Sequence, residues 1–448
     1  MEHPFLTRLK SFGKTEAIVF QGDTYSYADL LDLVDGWRSF LDLHRVGAGD
    51  VVTLEGAYSP AACAGLLALI ERGVIVVPLT ALPAAKRDDF LNVAEVERVI
   101  EVDPAGGHRT ERTGRTADHE LYGRLREFRR PGLVLFSSGT SGRSKATVLD
   151  FEKVLARYGE PVRPLRILSF LSLDHIGGVN TLLHTLSQGG TVVTVAERTP
   201  ETVFRAVADH AVEVLPTTPT FLNMVLISGA HERYRTDSLK LVTYGTEPMP
   251  QRTLERLHAG LPGVRLKQTY GLSELGILPT RSRGDNTLWV KLGKDAGFDY
   301  RIVDNVLWIR SEMAMLGYLN APAPFDDEGY FNTQDVVEVD GEWIRILGRD
   351  SEIINVGGEK VYPSEVESVL LDVPNIAEAT VSGRPSPVTG MVVRAKVTLV
   401  HEEDRREVTR RVREFCLARM EPYKVPALVE IASEPQHSER FKKIRSAA

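Results

Sequence analysis

The residues best suited to chemistry lie in three separated stretches. In residues 133–149, LVLFSSGTSGRSKATVL, an apolar run leads into Ser137-Ser138-Gly139-Thr140-Ser141-Gly142 and then Lys145. Glycines let backbone N–H groups converge on an anion, the hydroxyls add donors, and the lysine supplies a compact positive charge, so phosphate binding is the chemistry on offer. This is not a Walker loop, because the lysine does not directly follow a glycine and no Ser or Thr follows it. Taken alone, the composition equally suits a Ser/Gly surface loop.

The second stretch, Gln268-Thr269-Tyr270-Gly271-Leu272-Ser273-Glu274, follows an expected strand at 264–268, at the edge where ligands collect in open α/β sheets. Tyr270 suits the border of a base, Ser273 a phosphate and Glu274 a Mg²⁺ ion. Ser and Glu also favour helix N-termini, so on its own the stretch reads as a capped helix start. The third stretch runs from Asn332-Thr333-Gln334-Asp335, through a turn at Asp340-Gly341, to residues 348–367, GRDSEIINVGGEKVYPSEVE.

The elements that must position these residues follow a regular order. From about 60 to 270, helix-period stretches alternate with short β-branched runs, as in layered α/β proteins. Residues 61–72 read as a helix stopped by Gly73, and 74–77 as a buried strand. The same order recurs at 181–195 and 201–215, with further strands at 239–243 and 264–268. Residues 104–130, rich in Arg, Glu, Gly and Thr, read as a surface connection. After 290, short strands with turn signals predict a β-rich subdomain with a hairpin at Asp340-Gly341. From 351 onward a separate α+β pattern appears, with helices at 364–371 and 404–419 and strands near 376–381 and 391–399. The expected fold class is therefore α/β: a large N-terminal body of layered sheets with a β-rich subdomain at 1–349, and a small mobile α+β lid at 350–448.

The chain has 448 residues, more than one core usually serves. Its 43% hydrophobic and 26% charged residues suit a globular protein, and no apolar run reaches the roughly 18 residues of a membrane span. A net charge of −7 with interspersed signs argues against a nucleic-acid surface. The opening segment has no export-signal pattern, so a cytoplasmic protein is expected. Cys63 and Cys416 read as buried thiols of a reducing compartment.

Read together in order and spacing, the three stretches resemble the adenylate-forming superfamily of acyl-CoA synthetases, peptide-synthetase adenylation domains and firefly luciferase. Tyr25-Ser26-Tyr27-Ala28-Asp29-Leu30 and residues 73–79, GVIVVPL, resemble its early core motifs. The resemblance implies that Ser137 to Gly142 with Lys145 hold the triphosphate of ATP. It implies an adenine-contacting turn at Gly245-Thr246-Glu247-Pro248, with Tyr270 and Gly271 against the base or acyl group. Ser273 stands for the usual threonine on a phosphate, and Glu274 holds Mg²⁺. Asp335 and Arg349 contact the ribose hydroxyls. His175, Asn180 and Tyr244 line the acid pocket, although a lone histidine is often structural. Gly357 and Gly358 flank the coenzyme A tunnel, and the hinge falls at Asp350 and Ser351.

The C-terminal segment departs from the pattern, since the family usually has glycine directly before its catalytic lysine. The Lys-x-x-Arg spacing to Arg445 selects Lys442 over Lys443 for that role. Gln334 replaces the usual glycine, Ser351 the usual hinge aspartate and Asn355 the usual lysine.

The resemblance implies that a small acid is activated as its acyl-AMP with release of pyrophosphate, then passed to CoA by a monomer or homodimer. Its alternatives are acceptors other than CoA, namely a carrier protein or an amine. One such case is a diazotase of bacterial secondary metabolism activating nitrite for an arylamine. More remote is a nucleotide-binding regulator without catalysis, against which the retained charges argue.

Overall fold

The computed structural model describes residues 3–103, 105–137, 144–293, 297–434, 436–438 and 441–445. Among these residues, two seven-stranded sheets form the body. The first runs in the order Arg265–Gln268, Leu241–Tyr244, Val214–Thr217, Arg166–Leu168, Thr191–Thr194, Glu16–Phe20 and Asp23–Ser26. All its pairs are parallel except the last. The second runs Gly317–Tyr318, Lys145–Asp150, Gly132–Ser137, Ile75–Leu79, Val51–Glu55, Arg98–Val102 and His108–Arg112.

The reason these runs read as uninterrupted apolar stretches is that helices cover both sheet faces. Every residue of Ile75–Leu79 is buried. The helix Pro60–Arg72 is buried from Pro60 to Ile70, so it shows no polar stripe; it starts on the Ser59 cap and stops at left-handed Gly73. Helices Tyr27–Leu43 and Ile176–Ser187 share its core, which includes Leu30, Val34, Trp37, Leu66, Leu182 and Leu186. The strand expected at 239–243 begins two residues later, at Leu241.

Residues 104–130 correct the expectation of a surface connection. Strand His108–Arg112 pairs antiparallel with Arg98–Val102, and helix Glu120–Glu127 buries Leu121, Tyr122 and Leu125. An edge strand exposes most of its side chains, so its composition is as polar as that of a loop.

The β-rich subdomain is a six-stranded sheet, from Thr280–Ser282 through Val290–Leu292, Trp343–Arg349, Phe331–Asp340 and Val306–Ser311 to Phe298–Val303. Its hairpin turns at Gly341 and Glu342, one residue beyond the predicted pair, because Asp340 is already paired with Trp343. A last sheet of five strands carries helices Pro363–Leu370 and Arg405–Leu417 on a separate core that includes Val361, Val366, Val381, Ala395, Val408 and Val412. It touches the body through Asn223 Nδ2, which donates to the Ala377 carbonyl at 3.0 Å, and an Arg252–Asp372 ion pair of 2.6 Å. Both cysteines are buried, and among the described residues no helix is long and apolar enough to cross a membrane.

Candidate active site

Ser137 ends one strand and pairs with Lys145, the first residue of the next, so the two ends of the Ser/Gly loop are zipped together. Ser138, Gly139, Thr140, Ser141 and Gly142 lie outside the described residues. Asn320 clasps the loop's exit: its Nδ2 donates to the Ser144 carbonyl at 2.8 Å and its Oδ1 accepts from Ala146 N at 3.0 Å. Lys145 Nζ sits 5.0 Å from the centroid of the Tyr318 ring, and the Tyr318 hydroxyl donates to Glu274 Oε1 at 2.7 Å. Lys145, Tyr318 and Glu274 thus form one chain of contacts from the loop to a buried carboxylate.

Ser273 and Glu274 occupy the turn between strands Tyr270–Leu272 and Gly276–Leu278, a hairpin where the local sequence also suited a helix start. The same hairpin delivers Tyr270, whose hydroxyl donates to Asp335 Oδ2 at 2.5 Å. Asp335 Oδ1 lies 3.6 Å from Arg349 Nε, its partner across the strand pair. Burial pushes the Asp335 carboxyl above the usual range, although Arg349 and the Tyr270 hydroxyl pull the other way. Burial also drives the Tyr270 hydroxyl well above its ordinary value, with the Asp335 charge adding to it. For Arg349, burial favours the neutral form, but the carboxylates of Asp335 and Glu274 outweigh it and raise its pKa. One guanidinium therefore feels both carboxylates and links the two clusters.

Backbone geometry accounts for Gln334. Its φ of +60° lies in the left-handed region that glycine enters most readily, and a register shift follows between Val336 and Val337. Asp335 N then donates to Thr333 Oγ1 at 3.0 Å, which fixes the loop behind the carboxylate.

Tyr244 is buried at the end of its strand. Beside it Gly245 presses on residue 269: a Cβ there would lie 2.6 Å from Thr269 Oγ1 and 2.8 Å from its carbonyl oxygen. Thr246 follows at φ +75°. Glu247 Oε1 accepts from Thr220 N at 2.7 Å and from Thr220 Oγ1 at 2.5 Å, and Oε2 accepts from Lys443 N at 3.0 Å. Both oxygens hold protein, so Glu247 joins the segment 245–248 to the C-terminal tail.

His175 caps helix Ile176–Ser187, its Nδ1 accepting from Gly177 N at 2.9 Å. Asn180 Oδ1, on the same helix, accepts from the Tyr158 hydroxyl at 3.0 Å. Both side chains therefore have a local structural task.

The tail separates the two lysines. Lys443 Nζ donates to Glu367 Oε2 at 2.9 Å and to the Ala379 carbonyl at 3.0 Å, while Arg445 grips both oxygens of Glu367 at 3.0 and 2.9 Å and reaches Glu352 at 2.8 Å. The Lys443 ammonium is thereby committed to the C-terminal core. Phe441, before Lys442, adopts φ +51°, in the left-handed region that glycine enters most readily. Its ring is held by Phe170 and Phe221, at centroid distances of 5.0 and 5.5 Å, and by His437 at 5.6 Å.

Gly357 and Gly358 form the two-residue turn between Ile354–Val356 and Glu359–Val361, at φ +65° and +98°. Successive left-handed residues are what a type I′ hairpin turn demands. Asp350 and Ser351 lie in a short 3₁₀ turn directly after Arg349.

Among the described residues no group of three or more His, Cys, Asp or Glu side chains could hold a metal ion. Glu274 presents one carboxylate, whose Oε1 is taken by Tyr318. That donor set fits a Mg²⁺ ion which keeps its waters and arrives with polyphosphate oxygens. Sequence reasoning missed Tyr318 and Asn320. Both act on partners far away in the chain, and neither residue type marks a site by itself.

The AMP-binding enzyme family model matches residues 5–319, and the AMP-binding enzyme C-terminal domain model matches residues 365–442. Indoleacetate–CoA ligase of Aromatoleum aromaticum is 28% identical over 477 aligned residues, which cover 94% of this chain and 92% of that protein. The 3-[(3aS,4S,7aS)-7a-methyl-1,5-dioxo-octahydro-1H-inden-4-yl]propanoyl:CoA ligase of Mycobacterium tuberculosis is 31% identical, but the match covers 59% of this chain and 55% of that one. The chain thus spans nearly all of the first relative and about half of the second. ATP-bound MatB from Rhodopseudomonas palustris superposes with a TM-score of 0.80 at 21% identity, over 98% of this chain and 97% of that one. At that identity the likeness speaks for the fold.

Proposed function

Since the chain belongs to the AMP-binding enzyme family and is an ATP-dependent, AMP-forming ligase, we propose that it converts a small carboxylic acid to its acyl-AMP and then to its CoA thioester. The observation that carries this reading is the linkage of Asp335, Arg349 and Glu274 into one electrostatic cluster, which reaches Lys145 through Tyr318. Asp335, with Arg349, accepts the ribose hydroxyls. The loop from Ser137 and Lys145 hold the triphosphate. Glu274 carries Mg²⁺, which when bound offsets charge on the polyphosphate.

An oxygen of the acid's carboxylate attacks the α-phosphorus of ATP, the bond to the β-phosphate breaks, and pyrophosphate leaves. Two anions must approach, so cations decide the rate: one charge pair at about 4 Å is worth about 4 kcal/mol at an effective dielectric near 20. Lys442 is assigned that bridging role. Supporting it are the commitment of Lys443 to Glu367 and the glycine-like backbone of Phe441. Residues 350–448 then turn about Asp350 and Ser351, carrying Lys442 away and bringing the Gly357-Gly358 turn to the pantetheine arm. CoA is favoured as acceptor because the relatives named above are CoA ligases.

ATP–pyrophosphate exchange with aryl, fatty and inorganic acids, followed by CoA-dependent AMP release, tests the reading. Exchange with no acid would refute adenylation, and exchange without CoA-dependent release would point to a carrier protein or an amine.

A further inference from the structure

Phe441 belongs to the C-terminal tail, yet its ring packs against the core of the body. His437 and Lys443 pair antiparallel, Ser438 N donates to the Lys442 carbonyl at 2.9 Å, and Phe441 N donates to the Ser438 carbonyl at 2.8 Å, so hydrogen bonds fix the tail on both sides of Phe441. The ring meets the cluster that includes Phe170, Phe204, Phe221 and Leu222, which belongs to the half of the body built on the first sheet. Arg198 completes the socket. Its guanidinium carbon lies 5.3 Å from the Phe441 centroid and 5.8 Å from that of Phe170, and its Nη1 donates to the Phe170 carbonyl at 3.4 Å.

Lys442 is thereby held between two anchors on the body. Before it in the chain stands the Phe441 ring. After it, Lys443 N donates to Glu247 Oε2 at 3.0 Å, and Glu247 is itself fixed on Thr220, the neighbour of Phe221. Both anchors end on the first turn of helix Pro219–Ser228. The Asn223–Ala377 hydrogen bond and the Arg252–Asp372 ion pair, which also join the C-terminal domain to the body, are polar, and water can take the place of either partner. The ring has no such substitute, because withdrawing it exposes its own apolar surface together with that of Phe170 and Phe221. Its packing also offsets the strain of a left-handed backbone at a residue that carries a Cβ.

We propose that Phe441 is a positioning residue for Lys442: seated on Phe170, Phe221 and Arg198, its ring latches the C-terminal domain in the arrangement that forms the adenylate, and it leaves that socket before the acyl group passes to CoA. The proposal rests on the roles given above to Lys442 and to the turn about Asp350 and Ser351, and it adds what sets the balance between the two arrangements. Phe441 acts through the fraction of molecules in which Lys442 is in place. Its loss should therefore move the two half-reactions in opposite directions, whereas a residue needed only for the fold would move both the same way.

Phe441→Gly removes the ring and suits the left-handed backbone, and Phe441→Leu keeps an apolar side chain in the socket. On the full chain, ATP–pyrophosphate exchange with an active acid reads the first half-reaction, and single-turnover thioester formation from the supplied acyl-adenylate reads the second. Nitroxide labels at Leu43→Cys in the body and Val400→Cys in the C-terminal domain, both exposed positions, report the distance between the two by pulsed electron resonance, since the native cysteines are buried. Phe441→Gly is expected to lower the exchange kcat about tenfold with KM for ATP nearly unchanged, to raise the thioester rate about threefold, and to move label pairs from the wild-type distance to a second one. Phe441→Leu should lie between wild type and Phe441→Gly in all three readouts. If Phe441→Gly does not fold, Phe441→Leu carries the same test at smaller amplitude.

Where the enzyme adenylates, the proposal is overturned if both half-reactions fall together, if neither changes, or if the label distances stay as in wild type; adenylation itself is left standing by each of these results. Where CoA accepts nothing, exchange and the distances decide in the same way. Where no acid supports exchange in the wild type, the adenylation reading fails and the distances decide alone: a shift in Phe441→Gly upholds the latch, and an unchanged distribution overturns it.

Discussion

The Tyr270 hydroxyl lies 2.5 Å from Oδ2 of Asp335, on the carboxylate that also faces Arg349, so the acceptor assigned to ribose is oriented before any nucleotide arrives. Asp335→Ala should weaken ATP binding by about 1.5–3 kcal/mol, the range for hydrogen bonds to a charged group, while circular dichroism stays unchanged. Tyr270→Phe should weaken it less, because the carboxylate survives without its orienting donor. Unchanged ATP affinity of Asp335→Ala in calorimetric titration would remove the ribose assignment.

Glu367 anchors the C-terminal segment electrostatically. Burial alone would raise its pKa, but Arg445 and Lys443 outweigh that and hold it down at about 2, against an ordinary 4.5. A depressed carboxylate adds stability that is complete above its unfolded value and is lost as pH falls through the folded value. The window is therefore from about pH 4.5 down to about 2, and a shift of that size corresponds to roughly 3 kcal/mol. Glu367→Gln takes the carboxylate from Lys443 and leaves Arg445 its contact with Glu352, and should cost about 3 kcal/mol at neutral pH, the lower end of the range for a broken buried pair. Denaturation across this window should show a slope in the wild type that the variant lacks; equal slopes would place the acid sensitivity elsewhere.

Phe441 holds a left-handed backbone while its ring packs on Phe170 and Phe221. Phe441→Ala loses the packing and keeps the strain, whereas Phe441→Gly loses the packing and relieves it. The glycine variant should therefore be the more stable of the two by about 1 kcal/mol, the reverse of the usual order. A thermal melt in which alanine is the more stable would contradict the backbone argument.

Gly358 sits at φ +98° with open space where a Cβ would point, so Gly358→Leu strains the turn without filling any core. CoA transfer should fall at least tenfold more than adenylate formation. Equal losses in the two half-reactions would remove the tunnel reading, and no loss in either would argue for another acceptor.

Much of this arrangement is legible in the chain itself where chemistry and local structure coincide. Helix Pro60–Arg72 announces itself by Ser59, Pro60 and Gly73, and the strand leading to Lys145 by its apolar run into glycines. Asp335 and Arg349 are named by the resemblance to the adenylate-forming superfamily, and the hairpin sets them opposite each other on its two strands. Two kinds of feature stay hidden. Partners far apart in sequence, such as Tyr318 with Glu274 or Asn320 with the end of the Ser/Gly loop, depend on strand pairing that no local pattern encodes. The edge strand His108–Arg112 hides because its exposed positions carry loop-like composition. The Lys442 and Lys443 pair shows the limit well: spacing to Arg445 ranks them, but only the burial of Glu367 gives Lys443 an occupation of its own.

Measuring both half-reactions on Lys442→Ala and Lys443→Ala tests the central claim most directly. If Lys442 bridges the acid and the α-phosphate, its loss should slow adenylate formation by orders of magnitude, at about 1.4 kcal/mol per factor of ten, and largely spare thioester formation from a pre-formed acyl-adenylate. Lys443→Ala should leave both rates near wild type and instead lower the melting temperature, since it removes one of the two cations that Glu367 holds. The opposite pattern, adenylation collapsing in Lys443→Ala while Lys442→Ala stays near wild type, would contradict the account.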